Sequence, residues 1–320
     1  MSEIKNLNSS RPCDLCHHAM VDYWQVQDAL GHAWKYVCCK NCALVRLELD
    51  EQKDLWHRLA YPLEYYGDSS SKFGGAIQWL REISAYVRAR RIHRFFSKPG
   101  RILDIGCGEG LFLQCMKKLG WHVTGCEISE IAADRAEKRL GQRIHRADFE
   151  SMEKENIPWD VIMLWQVLEH VPNPNHLLQE VSKHLKDDGL IVIAVPNATS
   201  WQARLFGPNW FHLDPPRHLY HMGLPHLHQL AAKVGFRVTQ IHHFSLEYNP
   251  FGYAQSLLNA LGFKRDAMYQ KLKRRSDSAP EYSLFRFLAW FLLVPSIFPA
   301  IIEAAAGQGG TVAAYLRKAK

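Results

Sequence analysis

The feature that most limits how this chain can fold is a run of three glycines within five residues, Gly106, Gly108 and Gly110, set between an apolar stretch and an amphipathic one. In Leu103-Asp104-Ile105-Gly106-Cys107-Gly108-Glu109-Gly110 the glycines can turn the chain from a buried strand into a helix and let a ligand approach bare backbone. Glycines also end strands for local reasons, so the loop needs support from its surroundings. Short apolar runs recur at Arg101–Ile105, His122–Glu127, Val161–Trp165, Leu190–Val195 and Arg237–Phe244, with helical patterns between them. That alternation predicts an α/β fold, a mostly parallel sheet with helices on both faces. At 320 residues and 47% apolar content, the chain has the length for one large domain or two modest ones around a real core.

The acids around the loop separate one nucleotide ligand from another. Glu127 closes the next strand about 20 residues on, where a carboxylate accepts both hydroxyls of a ribose; a surface glutamate at a strand end is the plainer reading. Asp148-Phe149 follows a weaker strand near Ile144 and would meet an adenine amino group and ring face, or simply form a turn. A dinucleotide loop usually spaces its third glycine one residue later and lacks an acid just before the first. Asp104 stands two residues before Gly106, and a negative charge there suits an ammonium group better than phosphates. The pattern points to S-adenosyl-L-methionine.

With these motifs in order, the sequence resembles the class I S-adenosylmethionine-dependent methyltransferases. The likeness runs from Asp104–Gly110 through Glu127 and Asp148-Phe149 to Asp160–Val171 and Leu185-Lys186-Asp187-Asp188-Gly189-Leu190, roughly half the chain. It implies a Rossmann-like seven-stranded methyltransferase sheet closed by an antiparallel strand, here Thr311–Leu316. It also implies site roles. Asp104 with the backbone of Gly106, Cys107, Gly108 and Gly110 would hold the methionine end, Glu127 with its neighbour Ile128 the ribose, and Asp148 and Phe149 the adenine. Trp165 and Gln166 would wall the sulfonium.

Cys13-Asp14-Leu15-Cys16 and Cys39-Lys40-Asn41-Cys42 form two C-x-x-C knuckles separated by 22 residues. Four thiolates satisfy tetrahedral Zn²⁺ and leave no open position, so the metal would be structural and would fold a segment too small to fold alone. Free thiols are the plainer alternative, and Cys38, His17 or His18 could exchange into the ligand set. Cys42–Leu47 looks like the zinc-binding N-terminal module of bacterial methyltransferases, including sugar C-methyltransferases. Cys107, Cys115 and Cys126 lie inside the α/β pattern, where a buried thiol is a small apolar residue.

Methyl transfer to a hydroxyl or carbon acid needs alignment and a base. His170, just past the strand at Val161–Trp165, is the first candidate base, against the reading that Glu169-His170 only orients a loop. His218 is the second, stiffened by Pro215-Pro216, in a segment that also carries His212, His221, His226 and His228. No spacing among those histidines matches a recognised metal-ligand set, which favours core or solvent roles. Asp214-Pro215-Pro216 imitates the motif of amino-group methyltransferases, yet it sits in the wrong place, since Trp165-Gln166-Val167-Leu168 occupies the position after the strand.

The expected domains are a zinc ribbon (1–50), a helical linker or lid (51–98), the cofactor-binding core (99–250), a basic and apolar helical insertion (251–307) and a final core strand (308–320). In the insertion Lys264, Arg265, Lys271, Lys273, Arg274 and Arg275 precede Phe287–Ile302, sixteen residues without a charge, interrupted by Pro295 and Pro299. That run is short for a span but suits the face of an anionic membrane, or else a buried hairpin or a homodimer interface. With no secretory signal in the polar start, the expected location is the cytoplasm, with peripheral contact through 264–302 at the inner face of the membrane. The expected acceptor is a small molecule, a sugar or a lipid-linked hydroxyl, as in sugar C-methyltransferases and ubiquinone-type O-methyltransferases. RNA methylation with the ribbon as grip is the alternative, disfavoured because the net charge of +7 is dispersed. A cofactor-holding scaffold without turnover is the non-enzymatic reading.

Overall fold

The computed structural model describes residues 11–49, 75–152, 157–273 and 280–319. Residues 51–74 of the expected helical linker (51–98) and the basic residues Arg274 and Arg275 lie outside the described residues.

The chain opens with three antiparallel strands, β1 (Met20–Gln27), β2 (Ala33–Cys39) and β3 (Val45–Leu47). The turn between the first two is tied by Asp28, whose carboxylate accepts from the Leu30 and His32 amides and from Trp34 Nε1. Helix α1 (Gly75–His93) follows, then strictly alternating units: β4 (Arg101–Ile105), α2 (Leu111–Lys118), β5 (His122–Cys126), α3 (Glu130–Leu140), β6 (Trp159–Trp165), α4 (Pro174–Lys183) and β7 (Leu185–Pro196). The helix starts are those the residue types favour: Ser129 caps α3 through the Ala132 amide, and Asn173 caps α4 with Pro174 in its first turn. The remainder is α5 (Trp201–Phe206), β8 (Tyr220–His221), α6 (Leu224–Lys233), β9 (Phe236–His242), α7 (Asn249–Ala260), α8 (Ala267–Lys273), α9 (Pro280–Ala305) and β10 (Thr311–Lys318).

Six strands form one sheet in the order β5-β4-β6-β7-β10-β9, with β5, β4, β6 and β7 mutually parallel and β10 antiparallel to β9. The parallel strands are apolar on both faces, as a sheet covered on both sides requires. The weaker strand expected near Ile144 is reduced to one bridge between Cys126 and His145, so the sheet has six strands among the described residues where the resemblance implies seven. The N-terminal strands join β8 in a separate four-stranded sheet, β1-β2-β3-β8.

The chain divides into two compact units. One takes the described residues of 73–195, 230–242 and 313–320 and contains the six-stranded sheet, packed around Ile102, Leu113, Met116, Val161, Met163 and Val192. The other takes the described residues of 1–72, 196–229 and 243–312. Its interior includes Trp34, Tyr36 and Trp210, and a smaller cluster where Ala254 and Met268 meet Phe251, Leu258, Leu292 and Leu293. The cysteine-rich start and most of the expected insertion therefore share a unit, and 196–229 belongs with them.

Helix α9 continues through Pro295 and Pro299, which the sequence suggests as breaks. Ser296 Oγ donates to the Leu292 carbonyl there. Among the described residues no helix is long and apolar enough to cross a membrane.

Candidate active site

The glycine loop leaves the end of β4 as expected. Gly106 has φ +68°, and a Cβ on it would come within 2.7 Å of Val167 Cγ2, so both conformation and space demand glycine. Gly108 has φ +54° and would meet nothing within 4 Å, so its backbone faces open space. Glu127, buried at the end of β5, fixes this backbone: its Oε2 accepts from the Gly108 amide and its Oε1 from the Ser129 amide, both at 2.9 Å. Gly110 holds the start of α2, and Cys107 is a buried thiol inside the core.

Asp104 is only 3% exposed, and its Oδ1 has no hydrogen-bond partner among the described residues. Burial pushes its carboxyl up to about 8; the Arg88 guanidinium opposes the rise and the Glu127 carboxylate adds to it. Two further buried polar atoms without partners stand at the end of β6, Nε1 of its last residue Trp165 and Nε2 of Gln166 just after it. Gln166 is held at φ +56° while its amide donates to the Ala194 carbonyl at 2.8 Å. β4 and β6 are neighbours, with Ile105 opposite Leu164, so Asp104, Trp165 and Gln166 all stand at the carboxyl end of adjacent parallel strands. That end is where ligands bind in folds of this kind. An acceptor and two donors left unsatisfied there fit a polar ligand that carries both donors and acceptors, since orphaned buried groups are costly otherwise.

Sequence reasoning missed Arg88. It lies on α1, 9% exposed, with its guanidinium 3.9 Å above the Trp165 ring and 5.5 Å from that of Phe112. The sequence carries five arginines between 81 and 94, and nothing in their spacing singles out one of them.

The other expected cofactor contacts are placed less simply. Ile128 is exposed beside Glu127. Asp148 is exposed and its Oδ1 accepts from the Ser151 amide at 2.8 Å, a turn. Phe149 is buried with its ring edge-on to His184 at 5.8 Å.

The candidate bases fall in different units. In the first, His170 ends a short 3₁₀ turn, Leu168–His170, after β6; it is half-buried, and its amide donates to the Val167 carbonyl at 2.9 Å. In the second, His218 is buried, with Nδ1 donating to the His212 carbonyl at 2.8 Å and Nε2 3.6 Å from Asp214 Oδ2. Asp214 sits at φ +38° and holds Arg217 in a two-point ion pair, so the Asp-Pro-Pro run is a turn locked by its own arginine. The remaining histidines divide by environment. Burial pushes His212 down to about 4 and His221 to about 3. His226 accepts from the Gly223 amide at Nδ1 and donates from Nε2 to the Cys42 carbonyl at 2.8 Å, while His228 is exposed.

In that same unit the two knuckles meet. Cys13 Sγ lies 3.6 Å from Cys42 Sγ and Cys16 Sγ lies 3.4 Å from Cys39 Sγ, and all four sulfurs fall within 4.8 Å of one another. Four sulfurs bonded at about 2.3 Å to one tetrahedral ion would be about 3.8 Å apart, so the cluster could hold Zn²⁺. Cys38 is outside it, with its thiol directed to the Cys39 carbonyl, and His18 turns its Nδ1 to the Cys16 carbonyl. Strand β3 extends from the second knuckle to pair with β8, Val45 opposite His221 and Arg46 opposite Tyr220.

Residues 79–241 match the family described as "Methyltransferase domain". The chain is similar to the ubiquinone biosynthesis O-methyltransferase of Maricaulis maris, 35% identical over 119 residues that make up 34% of this chain and 46% of that protein. It is also similar to that of Bartonella tribocorum, 30% identical over 166 residues, 48% of this chain and 66% of that protein. The chain thus spans between 46% and 66% of the length of these two relatives. Among solved structures, the plantazolicin methyltransferase BpumL in complex with SAH aligns with a TM-score of 0.47 at 20% identity, over 84% of this chain and 97% of that one. A SAM-dependent methyltransferase from Archaeoglobus fulgidus aligns with a TM-score of 0.46 at 21% identity, over 75% of this chain and 97% of that one.

Proposed function

The chain belongs to the methyltransferase-domain family, and we propose that it transfers a methyl group from S-adenosyl-L-methionine to an oxygen atom of a small-molecule acceptor. The observation that carries this is the buried, unpartnered Asp104 carboxylate oxygen at the head of a loop whose backbone Glu127 has already set in place. Asp104 would hold the ligand's ammonium group, the Gly106–Gly110 backbone would line its methionine end, Glu127 would orient the ribose, and Trp165 and Gln166 would supply the donors that now lack partners. Bound there, the cofactor supplies an electrophilic sulfonium methyl.

What the protein must add is alignment and a proton acceptor. His170 is the first choice and His218 the second; for His218 the bond from Nδ1 to the His212 carbonyl leaves Nε2 as the basic nitrogen. Oxygen is the accepting atom carried over from the relatives named for O-methylation in ubiquinone biosynthesis. The four-cysteine cluster favours a second reading, C-methylation of a sugar, which isotope-labelled methyl and NMR of the product would separate from O-methylation. In either reading Cys13, Cys16, Cys39 and Cys42 hold a structural Zn²⁺ that leaves no open position for chemistry.

Calorimetric titration with S-adenosylhomocysteine and with NADH tests the assignment. Saturable heat with the first and none with the second is expected; tight NADH binding with no response to the adenosyl compound would overturn it.

A further inference from the structure

A surface helix of a soluble unit normally turns charged residues outward, and α3 of this chain does so with Glu130 and Asp134. Helix α9 does not. Its inward residues Leu292, Leu293 and Ala300 pack on the α7 side or are buried, and Glu303 is buried with a bond from Tyr253 of α7. Its outward residues are Phe291, Val294, Phe298, Ile301 and Ile302, and the two phenylalanines are 68% and 72% exposed. No charged residue interrupts 287–302.

Helix α7 runs antiparallel beside α9, since Tyr253 meets Glu303 while Leu258 shares a cluster with Leu292 and Leu293. At its end it adds the exposed Leu261 and Phe263. The outward side chains of α9 alone present on the order of 500 Å² of apolar surface, at the upper end of what monomers expose. These helices lie outside the region matched to the methyltransferase family, so that family's fold does not account for them.

We propose that this face of α7 and α9 docks on the surface of an anionic lipid bilayer, lying in the interface without crossing it. Charge chooses a bilayer over a second copy of the chain. Exposed Lys264 follows Phe263, and between 264 and 275 the sequence carries six basic residues against one acid, Asp266, which is buried. A second copy would bring like charges together, whereas anionic headgroups neutralise them. The phenylalanines and branched aliphatics have the chemistry to enter the boundary between headgroups and acyl chains. The inference goes beyond the methyl-transfer reading and does not depend on it.

The test is flotation of the full-length chain with phosphatidylcholine vesicles, with and without about one-third phosphatidylglycerol, comparing wild type with the double variant Phe291→Asp/Phe298→Asp and with Leu261→Asp/Phe263→Asp. Wild type should float with the anionic vesicles, less so in high salt, and each variant should lose at least about tenfold in partition. Calorimetry with S-adenosylhomocysteine on the same preparations and thermal melts establish that the variants are folded, and separate failure here from failure of the cofactor assignment. The proposal is overturned if folded wild type stays with the dense fraction in every vesicle, if both variants float as well as wild type, or if light scattering shows a dimer that Phe291→Asp/Phe298→Asp dissociates.

Discussion

Replacing Asp104 with Asn should weaken cofactor binding and stabilise the unliganded protein, two effects of opposite sign from one buried oxygen. The carboxyl is held up at about 8 against an unfolded value near 4, so the folded state keeps its proton over a window where the unfolded state has lost it. A folded value raised above the unfolded one means that stability falls as pH rises from about 4 to about 8 and is level above that. At pH 7 the cost amounts to about 3 units at 1.36 kcal/mol each, or ~4 kcal/mol. Asn removes the charge but leaves a buried amide worth ~1–3 kcal/mol against folding, so the net gain should be about 1–3 kcal/mol at pH 7 and should turn into a loss of about 1–3 kcal/mol near pH 4, where the cost to the wild type has gone.

Binding moves the other way. A desolvated charge pair between Asp104 and an ammonium is worth about 2–5 kcal/mol, less ~1.4 kcal/mol to ionise the acid at pH 7, so Asn should cost about 3- to 400-fold in affinity for S-adenosylhomocysteine. Titration in buffers of different ionisation enthalpy gives a second reading: wild type should release about 0.9 proton on binding at pH 7 and the variant none. If Asp104→Asn binds within twofold of wild type, releases the same proton and melts no higher, Asp104 does not hold the ammonium group and the assignment of the loop loses its support.

Three other outcomes follow from the geometry. Gly106→Ala should destabilise the chain by about 1–3 kcal/mol in urea unfolding, because φ of +68° and a 2.7 Å approach to Val167 Cγ2 leave no room for a methyl group. Metal analysis should find one Zn²⁺ per chain, and chelation should expose the amides of Val45–Leu47 and Tyr220–His221 to hydrogen exchange together, since those strands pair directly behind the second knuckle. His170→Ala and His218→Ala should be compared as pH profiles: the true base loses about 10²- to 10⁴-fold in kcat and its acidic limb with unchanged affinity for the cofactor, and equal profiles for both variants and wild type would remove both assignments.

What could be read from the sequence was what neighbouring residues decide. β4 occupies Arg101–Ile105 as the apolar run suggested, and the loop, its three glycines at positive φ and Glu127 follow in order. The two knuckles close into one cluster because each brings two thiols together locally, and only their meeting requires the fold. What could not be read depends on partners distant in sequence. β7 begins at Leu185 rather than Leu190 because Leu185 pairs with Trp159 and Lys186 reaches Asp160, although Lys186-Asp187-Asp188-Gly189 reads alone as a turn. Arg88 matters through Trp165 and Asp104, and no periodicity on its own helix distinguishes it from Arg90 or Arg91.

The same contrast explains why the cofactor side can be argued residue by residue while the acceptor is proposed only by class. A loop that must bind adenosine and an ammonium needs a particular backbone and particular acids, and that need leaves a mark in short motifs. An acceptor site needs only side chains of suitable shape and polarity, drawn from wherever the chain returns. Here 196–229 and 243–312 fold in one unit with the cysteine-rich start, which ties the order of that unit to long-range pairing such as Val45 with His221 and to the bond from His226 to the Cys42 carbonyl. A metal at the four cysteines would then act on 196–229 through the backbone it holds, and its closed coordination would leave it no open position for chemistry.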